Sequence, residues 1–281
     1  MCIKDILHKI RIGFVRLSGN GVPYVDEKKR YGNSGEDRFI STLKSLLPDC
    51  EIKRNVMVSS PDGIAEIDCL LLYGNKLFVI EVKNWKGRLI ETPNGFIKIK
   101  QDNWTDEEHL IPLSSPFRQV KREISILKKS THCNAWINDV VFFSSNEFGG
   151  IRTTTNQVWF SKVGDLVDYI VHSKQPSESA DARRLFSMCR SADYILSSFR
   201  SLRGIIDSST FSFNTEHGII SKNMIETVSI KHRWSKDIVS LQLKTGQEYT
   251  IECENMKINV YSDGKYQTYS LSKINRIEIG H

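Results

Sequence analysis

The stretch 64–87, IAEIDCLLLYGNKLFVIEVKNWKG, most limits what this chain can fold into. Two apolar, β-rich runs meet at Gly74-Asn75, a pair suited to a two-residue hairpin turn. Side chains alternate along a strand, so Glu81 and Lys83 share a face with Leu77 and Val79. Ile80 and Val82 then point into the opposite layer. If Tyr73 pairs with Lys76, Asp68 falls across from Glu81, with Cβ atoms about 5 Å apart. Two facing carboxylates on apolar strands repel, which costs stability unless something positive lies between them. A divalent cation, Mg²⁺ or Mn²⁺, answers that need, because hard cations take carboxylate oxygens. Lys83 could then stabilise charge developing on a phosphate or help activate an attacking water. The same register sets Glu66 opposite Lys83, which leaves open a solvated face with a cross-strand ion pair. The apolar run around these residues weighs against that alternative.

Helical and strand patterns surround this hairpin. Residues 34–47, SGEDRFISTLKSLL, start with Ser34 and Asp37 at capping-box spacing and stop at Pro48. Phe39, Ile40, Leu43, Leu46 and Leu47 form its apolar face. Glu36 precedes Ile40 and Leu43 by four and seven residues, so it lies on the inward stripe. A carboxylate there could reach a metal held by the sheet, or simply favour the helix dipole. A second helix is predicted from about Pro116 to Lys129, with Phe117, Val120, Ile124 and Leu127 inward. Gln119 sits at the edge of that face, where a lone Gln is most simply a satisfied polar neighbour. KRNVMV (53–58), RLIE and GFIKIK (88–100, around Pro93-Asn94-Gly95), INDVVFFSS (137–145) and QVWF (157–160) read as strands. Residues 102–115 read as a polar loop. KVGDLVDYIV and 178–199 read as helices, and from about 216 short strands alternate with turn signals such as Thr245-Gly246 and Asp263-Gly264.

The order Gly35-Glu36, Asp68, Glu81-Val82-Lys83, Trp85, Gly87 and Gln119 resembles the nuclease-related domain, NERD. That domain belongs to the restriction-endonuclease-like PD-(D/E)xK superfamily. The resemblance covers about residues 32–145, and EIDCLL…VIEVKNWKG is its most specific part. The "PD" pair of the superfamily is absent, because Ile67 precedes Asp68. The resemblance implies an α/β fold: a mixed central sheet flanked by helices. It implies a divalent-metal-dependent nuclease acting on nucleic acid, DNA favoured, with Mg²⁺ or Mn²⁺ as cofactor. Asp68 and Glu81, with Val82, would be the metal ligands, Lys83 the catalytic lysine, and Glu36 and Gln119 the supporting helix residues. Defence of a bacterium against foreign DNA is an expectation by fold analogy alone. The alternatives are a non-cleaving nucleic-acid-binding or regulatory module on the same fold, and an interaction platform built on the β tail. The intact Asp68, Glu81 and Lys83 set argues against a site that no longer cuts.

Charge and composition complete the expectations. The formal net charge is +6, and residues 1–33 hold seven Lys/Arg against three Asp/Glu. Ile3, Ile6, Leu7, Ile10 and Phe14 recur at helical spacing within this basic arm, which suits a polyanion or an anionic membrane surface. Lys4, Asp5, Lys9, Arg11 and Arg16 interrupt the start too often for a secretory signal. No run approaches the ~20 apolar residues of a membrane helix. The six cysteines lack metal-ligand spacing, which fits reduced thiols in the cytoplasm. The expected organisation is a basic arm (1–33), a nuclease-like domain (34–174), a helical connector (175–215) and a small all-β module (216–281). That last module is nearly charge-balanced, so self-association or a regulatory partner is its expected role, with phosphate binding left to the arm.

Overall fold

The computed structural model describes residues 27–101, 108–153, 156–174, 180–197, 201–233, 236–262 and 264–280. The expected N-terminal helix, and the arm up to residue 26, lie outside them. The described chain divides into two units, Glu27–Arg190 and a second that begins at Ser191.

In the first unit, helix α1 spans Glu27–Leu46, so Ser34 lies inside it and does not cap it. The cause is upstream: Glu27, Lys28, Lys29 and Arg30 are strong helix formers and carry the helix through Gly32 and Gly35. Phe39, Ile40, Leu43 and Leu47 are buried as expected, whereas Leu46 is exposed. There follow β1 (Glu51–Ser60), β2 (Gly63–Tyr73), β3 (Lys76–Lys83), β4 (Gly87–Thr92), β5 (Gly95–Gln101) and β6 (Glu108–Leu113). Then come α2 (Pro116–Thr131), β7 (Ile137–Phe143), β8 (Phe148–Arg152), β9 (Trp159–Phe160), α3 (Val163–His172) and α4 (Ala180–Met188).

The central sheet has the order β1-β2-β3-β7-β9. The pairs β1–β2 and β2–β3 are antiparallel, while β3–β7 and β7–β9 are parallel. It is the mixed sheet that the resemblance implies. Because helices cover both faces, β3 reads as one apolar run and is buried from Leu77 to Val82. Leu77 and Val79 pack with Phe117, Val120 and Leu127 of α2. On the other face, Phe78, Ile80 and Val82 pack with Phe39, Ile40 and Leu43 of α1 and with Leu166 and Ile170 of α3.

A second sheet, of order β6-β5-β4-β8, includes part of the stretch read as a loop. β6 pairs with β5 from Phe96–Leu113 to Gln101–Glu108. It is an edge strand with mostly exposed side chains and Pro112 within it, so it carries little of the alternation that betrays a half-buried strand. Gly95 opens β5 at φ 152°, where a Cβ would come within 2.3 Å of the Leu113 carbonyl oxygen, so this position admits only glycine.

The second unit contains β10 (Asp193–Leu196), β11 (Ser201–Ile206), β12 (Ser212–Thr215), β13 (Gly218–Ser221) and β14 (Ile225–His232). It continues with β15 (Asp237–Leu243), β16 (Glu248–Cys253), β17 (Lys257–Ser262), β18 (Lys265–Ser270) and β19 (Arg276–Glu278). Among the described residues, eight of these form an antiparallel sheet of order β16-β15-β14-β19-β10-β11-β17-β18, and β12–β13 is a separate hairpin. The all-β tail is therefore present but begins earlier than expected. Of the helical connector expected over 175–215, the helix ends at Met188, and strands start at Asp193.

Long-range pairing overrides the local pattern there. Asp193 is fully buried, accepts hydrogen bonds from the Ile206 and Gly280 amides (2.7 and 3.0 Å), and pairs with Lys222 Nζ at 2.6 Å. Asp193→Ala is expected to lower unfolding stability by roughly 3–5 kcal/mol, since it strands a buried cation and two amides. Urea unfolding of the full chain would show this as a lower midpoint at unchanged slope. Among the described residues, no helix is long and apolar enough to cross a membrane.

Candidate active site

The site begins with a break in the regularity of β1 and β2. The pairs Arg54–Cys69 and Val56–Ile67 bracket Asn55 and Asp68. Ile67 packs into the core on the α2 side and Cys69 into the core on the α1 side, although residues two apart on a regular strand share a face. The strands thus turn over at this step, and Asn55 absorbs the turn with φ 47°, in the left-handed region that Asn tolerates. The hairpin register is the expected one, with Tyr73–Lys76 at the turn and Cys69–Ile80 as the last ladder pair. Asp68 lies one step past it. Its Oδ2 accepts the Val82 N–H at 2.9 Å, so a side chain replaces the next ladder bond. Val82 therefore meets Asp68 through its amide. Glu66 lies opposite Met57 on β1, and the ion pair of Lys83 is with Glu81 of its own strand.

Glu81 is fully buried, and Lys83 is partly exposed at the rim. Sequence reading missed the other buried acid of the site, Glu123 on α2. Gln119, one turn earlier, donates from Nε2 to Glu123 Oε1 at 2.9 Å, so Gln119 joins the site through Glu123. A signal for Glu123 did exist. The buried stripe of α2 runs through Val120, Glu123 and Leu127, spacings of three and four, with a carboxylate in its middle. From α1, Glu36 adds a charge that Asp68 feels. The structure brings together Glu36, Asp68, Glu81 and Lys83, with Gln119 behind Glu123.

Their electrostatics follow from burial and crowding. Burial first, then the charges of Glu81 and Glu36, hold the Asp68 carboxyl well above its usual range, against Lys83 and the Val82 amide. Burial and then Glu123 push Glu81 up to about 8. Burial raises Glu123 to about 7, with the Gln119 hydrogen bond opposing it. For Lys83, burial works to lower the pKa, but the charge of Glu81 outweighs it and the net shift is upward. Lys83 is therefore a protonated cation at neutral pH.

The carboxylates of this arrangement could hold a cation. Oε1 of Glu81 faces the Lys83 ammonium, whereas Oε2 of Glu81 and Oε2 of Glu123 are buried without a hydrogen-bond donor. Hard carboxylate oxygens in that condition suit Mg²⁺ or Mn²⁺. Among the described residues, however, no three His, Cys, Asp or Glu side chains are already grouped as a ligand set. The cation now against Glu81 is the Lys83 ammonium.

The raised pKa values make a pH prediction. Glu81 and Glu123 bind protons more tightly folded than unfolded, so folding loses stability as pH rises from about 4.5 through about 8. Below that window the effect vanishes. In EDTA, the melting temperature of the wild type is expected to fall more steeply between pH 5 and 8 than that of Glu123→Gln. Equal slopes would mean that Glu123 is not held protonated by the fold.

Residues 31–144 match the family model of the nuclease-related domain, NERD. That span holds every residue of the site: Glu36, Asp68, Glu81, Lys83, Gln119 and Glu123. The resemblance read from the motif is borne out over this part of the chain, and the mixed α/β architecture agrees with it. The second unit lies outside the match. No curated protein and no solved structure matches the chain.

Proposed function

We propose that this nuclease-related chain is a divalent-metal-dependent nuclease that hydrolyses phosphodiester bonds, in DNA by preference. The observation that carries the reading is the buried Glu81 carboxylate beside Asp68, with the protonated Lys83 on its Oε1 and no donor on its Oε2. Asp68 and Glu81 would hold the ion, with Val82 beside them. Bound there, Mg²⁺ or Mn²⁺ would supply Lewis-acid polarisation of the scissile phosphate. The rest falls to the chain itself. The Val82 amide fixes the Asp68 carboxylate, and the Gln119 amide fixes Glu123. Lys83 stands at the rim, where its ammonium can offset the charge that builds on phosphate oxygens in the transition state. Its raised pKa favours this role over that of a general base. The apolar layers above and below β3 keep water from the carboxylates, which strengthens these interactions.

A second reading, a nucleic-acid-binding module that does not cut, draws on the Glu81–Lys83 ion pair, which satisfies the site without an ion. A cleavage assay separates the two. The wild type should cut labelled DNA with Mn²⁺ or Mg²⁺ and not with EDTA, and Asp68→Ala should not cut at all. Binding of DNA with no metal-dependent cleavage would favour the second reading. Defence against foreign DNA would be the setting of such an activity. For the second unit we assign self-association or a regulatory partner, motivated by its exposed apolar side chains Ile219 and Tyr266 (68% and 66%).

A further inference from the structure

The segment Asn84-Trp85-Lys86-Gly87 has no part in the chemistry above. Trp85 is partly buried, packing against the core and with Phe143 at a centroid distance of 6.1 Å. Its neighbours are placed differently. Asn84 and Lys86 line a cleft of about 380 Å³ with Ser34 and Arg38 of α1 and residues 145–147 after β7. All the lining side chains are polar or charged. Because β3 and β7 are parallel neighbours, the cleft lies past their carboxyl ends, the rim where open α/β sheets bind ligands. Lys83 ends β3 on the same rim, and one strand spacing is about 5 Å.

Helix α1 reaches this rim because residue 35 is Gly. A Cβ there would come within 2.8 Å of Ser144 Oγ and 3.0 Å of Asn84 Cγ. That approach puts Ser34 and Arg38, one turn apart, on the cleft. Arg38 is exposed and donates from Nη2 to the Ser144 carbonyl at 3.3 Å. Lys86 pairs with Glu147 at 2.7 Å, but these side chains are 43% and 68% exposed, so little holds the pair together. A phosphate could take Lys86 from Glu147 at little cost and gain the Arg38 guanidinium as well.

We propose that this cleft is a second phosphate subsite, which holds a phosphodiester of the substrate strand adjoining the one cleaved. Arg38 and Lys86 supply its charge, and Asn84 is a further donor. Such contacts position a strand without reading its bases. The proposal rests on the nuclease reading for its substrate, so the test measures binding and turnover separately.

The full chain is titrated against a labelled single-stranded DNA oligonucleotide in EDTA, and cleavage of the same oligonucleotide is followed with Mn²⁺. Arg38→Ala and Lys86→Ala should each weaken binding roughly 5- to 20-fold. Each should also lower the salt slope by about 0.7. In cleavage, KM should rise with kcat retained. Glu147→Gln should act in the opposite direction and tighten binding, because it removes the carboxylate that competes for Lys86. Lys44→Ala, an exposed charge in the last turn of α1, is the control for non-specific electrostatics. Melting temperatures should not move. If Arg38→Ala and Lys86→Ala bind no more weakly than Lys44→Ala, or if Glu147→Gln weakens binding, the subsite is refuted. If the two variants lose affinity as expected but the wild type does not cut with Mn²⁺, the subsite stands and the nuclease reading falls.

Discussion

Glu81→Gln is expected to remove metal-dependent cleavage and, at pH 8 in EDTA, to raise the melting temperature. The two effects have one cause. Glu81 is fully buried with its pKa pushed to about 8, so once the pH reaches and passes that value the fold pays to keep it ionised beside Glu123. An amide of the same shape carries no charge and can donate a hydrogen bond to Glu123. Each kcal/mol of repulsion relieved should raise the melting temperature by roughly 2–4 °C for a chain of this size. Cleavage should fall about 10³-fold or more, because the lost charge is the one that would hold the ion. Manganese added to the wild type at 100 times its dissociation constant should stabilise it by about 2.7 kcal/mol, and Glu81→Gln should show much less. An equal metal-induced shift in both proteins would remove Glu81 from the metal site.

Lys83→Ala is expected to leave metal binding and DNA affinity near the wild-type values while kcat falls roughly 10²- to 10³-fold. Lys83 acts on charge that develops during the reaction, so its loss should appear in turnover before affinity. Its raised pKa adds a second, independent expectation. The wild-type pH profile should show no basic limb from Lys83 losing its proton near neutrality. The metal-free variant should also be less stable than the wild type, since the cation beside Glu81 is gone. Normal kcat with a raised KM would instead make Lys83 a simple phosphate contact.

Much of the first unit was legible because its signals are local. Gly74-Asn75 fixed the hairpin register, and the register brought Asp68 and Glu81 to neighbouring positions. The inward stripe of α1 placed Glu36 with them. Glu123 was within reach of the same reasoning, since it interrupts the stripe between Val120 and Leu127, but a glutamate on a helix rich in Lys and Arg passes easily for a solvated one. The edge strand β6 gave no comparable signal, because exposed strands need not alternate.

Residues that depend on distant partners could not be read this way. The turn-over at Asn55 and Asp68 requires two strands to change faces at the same step, and neither strand shows it alone. Asp193 looks like an ordinary polar residue until the amides of Ile206 and Gly280 and the ammonium of Lys222 close around it. The sequence by itself determined the hairpin, the two helix faces and the chemical set Glu36, Asp68, Glu81 and Lys83, since periodicity and turn chemistry act over a few residues. Only the tertiary structure decided which charges are buried against one another, that Gln119 works through Glu123, and that strands begin at Asp193. Burial and long-range pairing are properties of the packed chain, and the energies they set are large enough to override local preference.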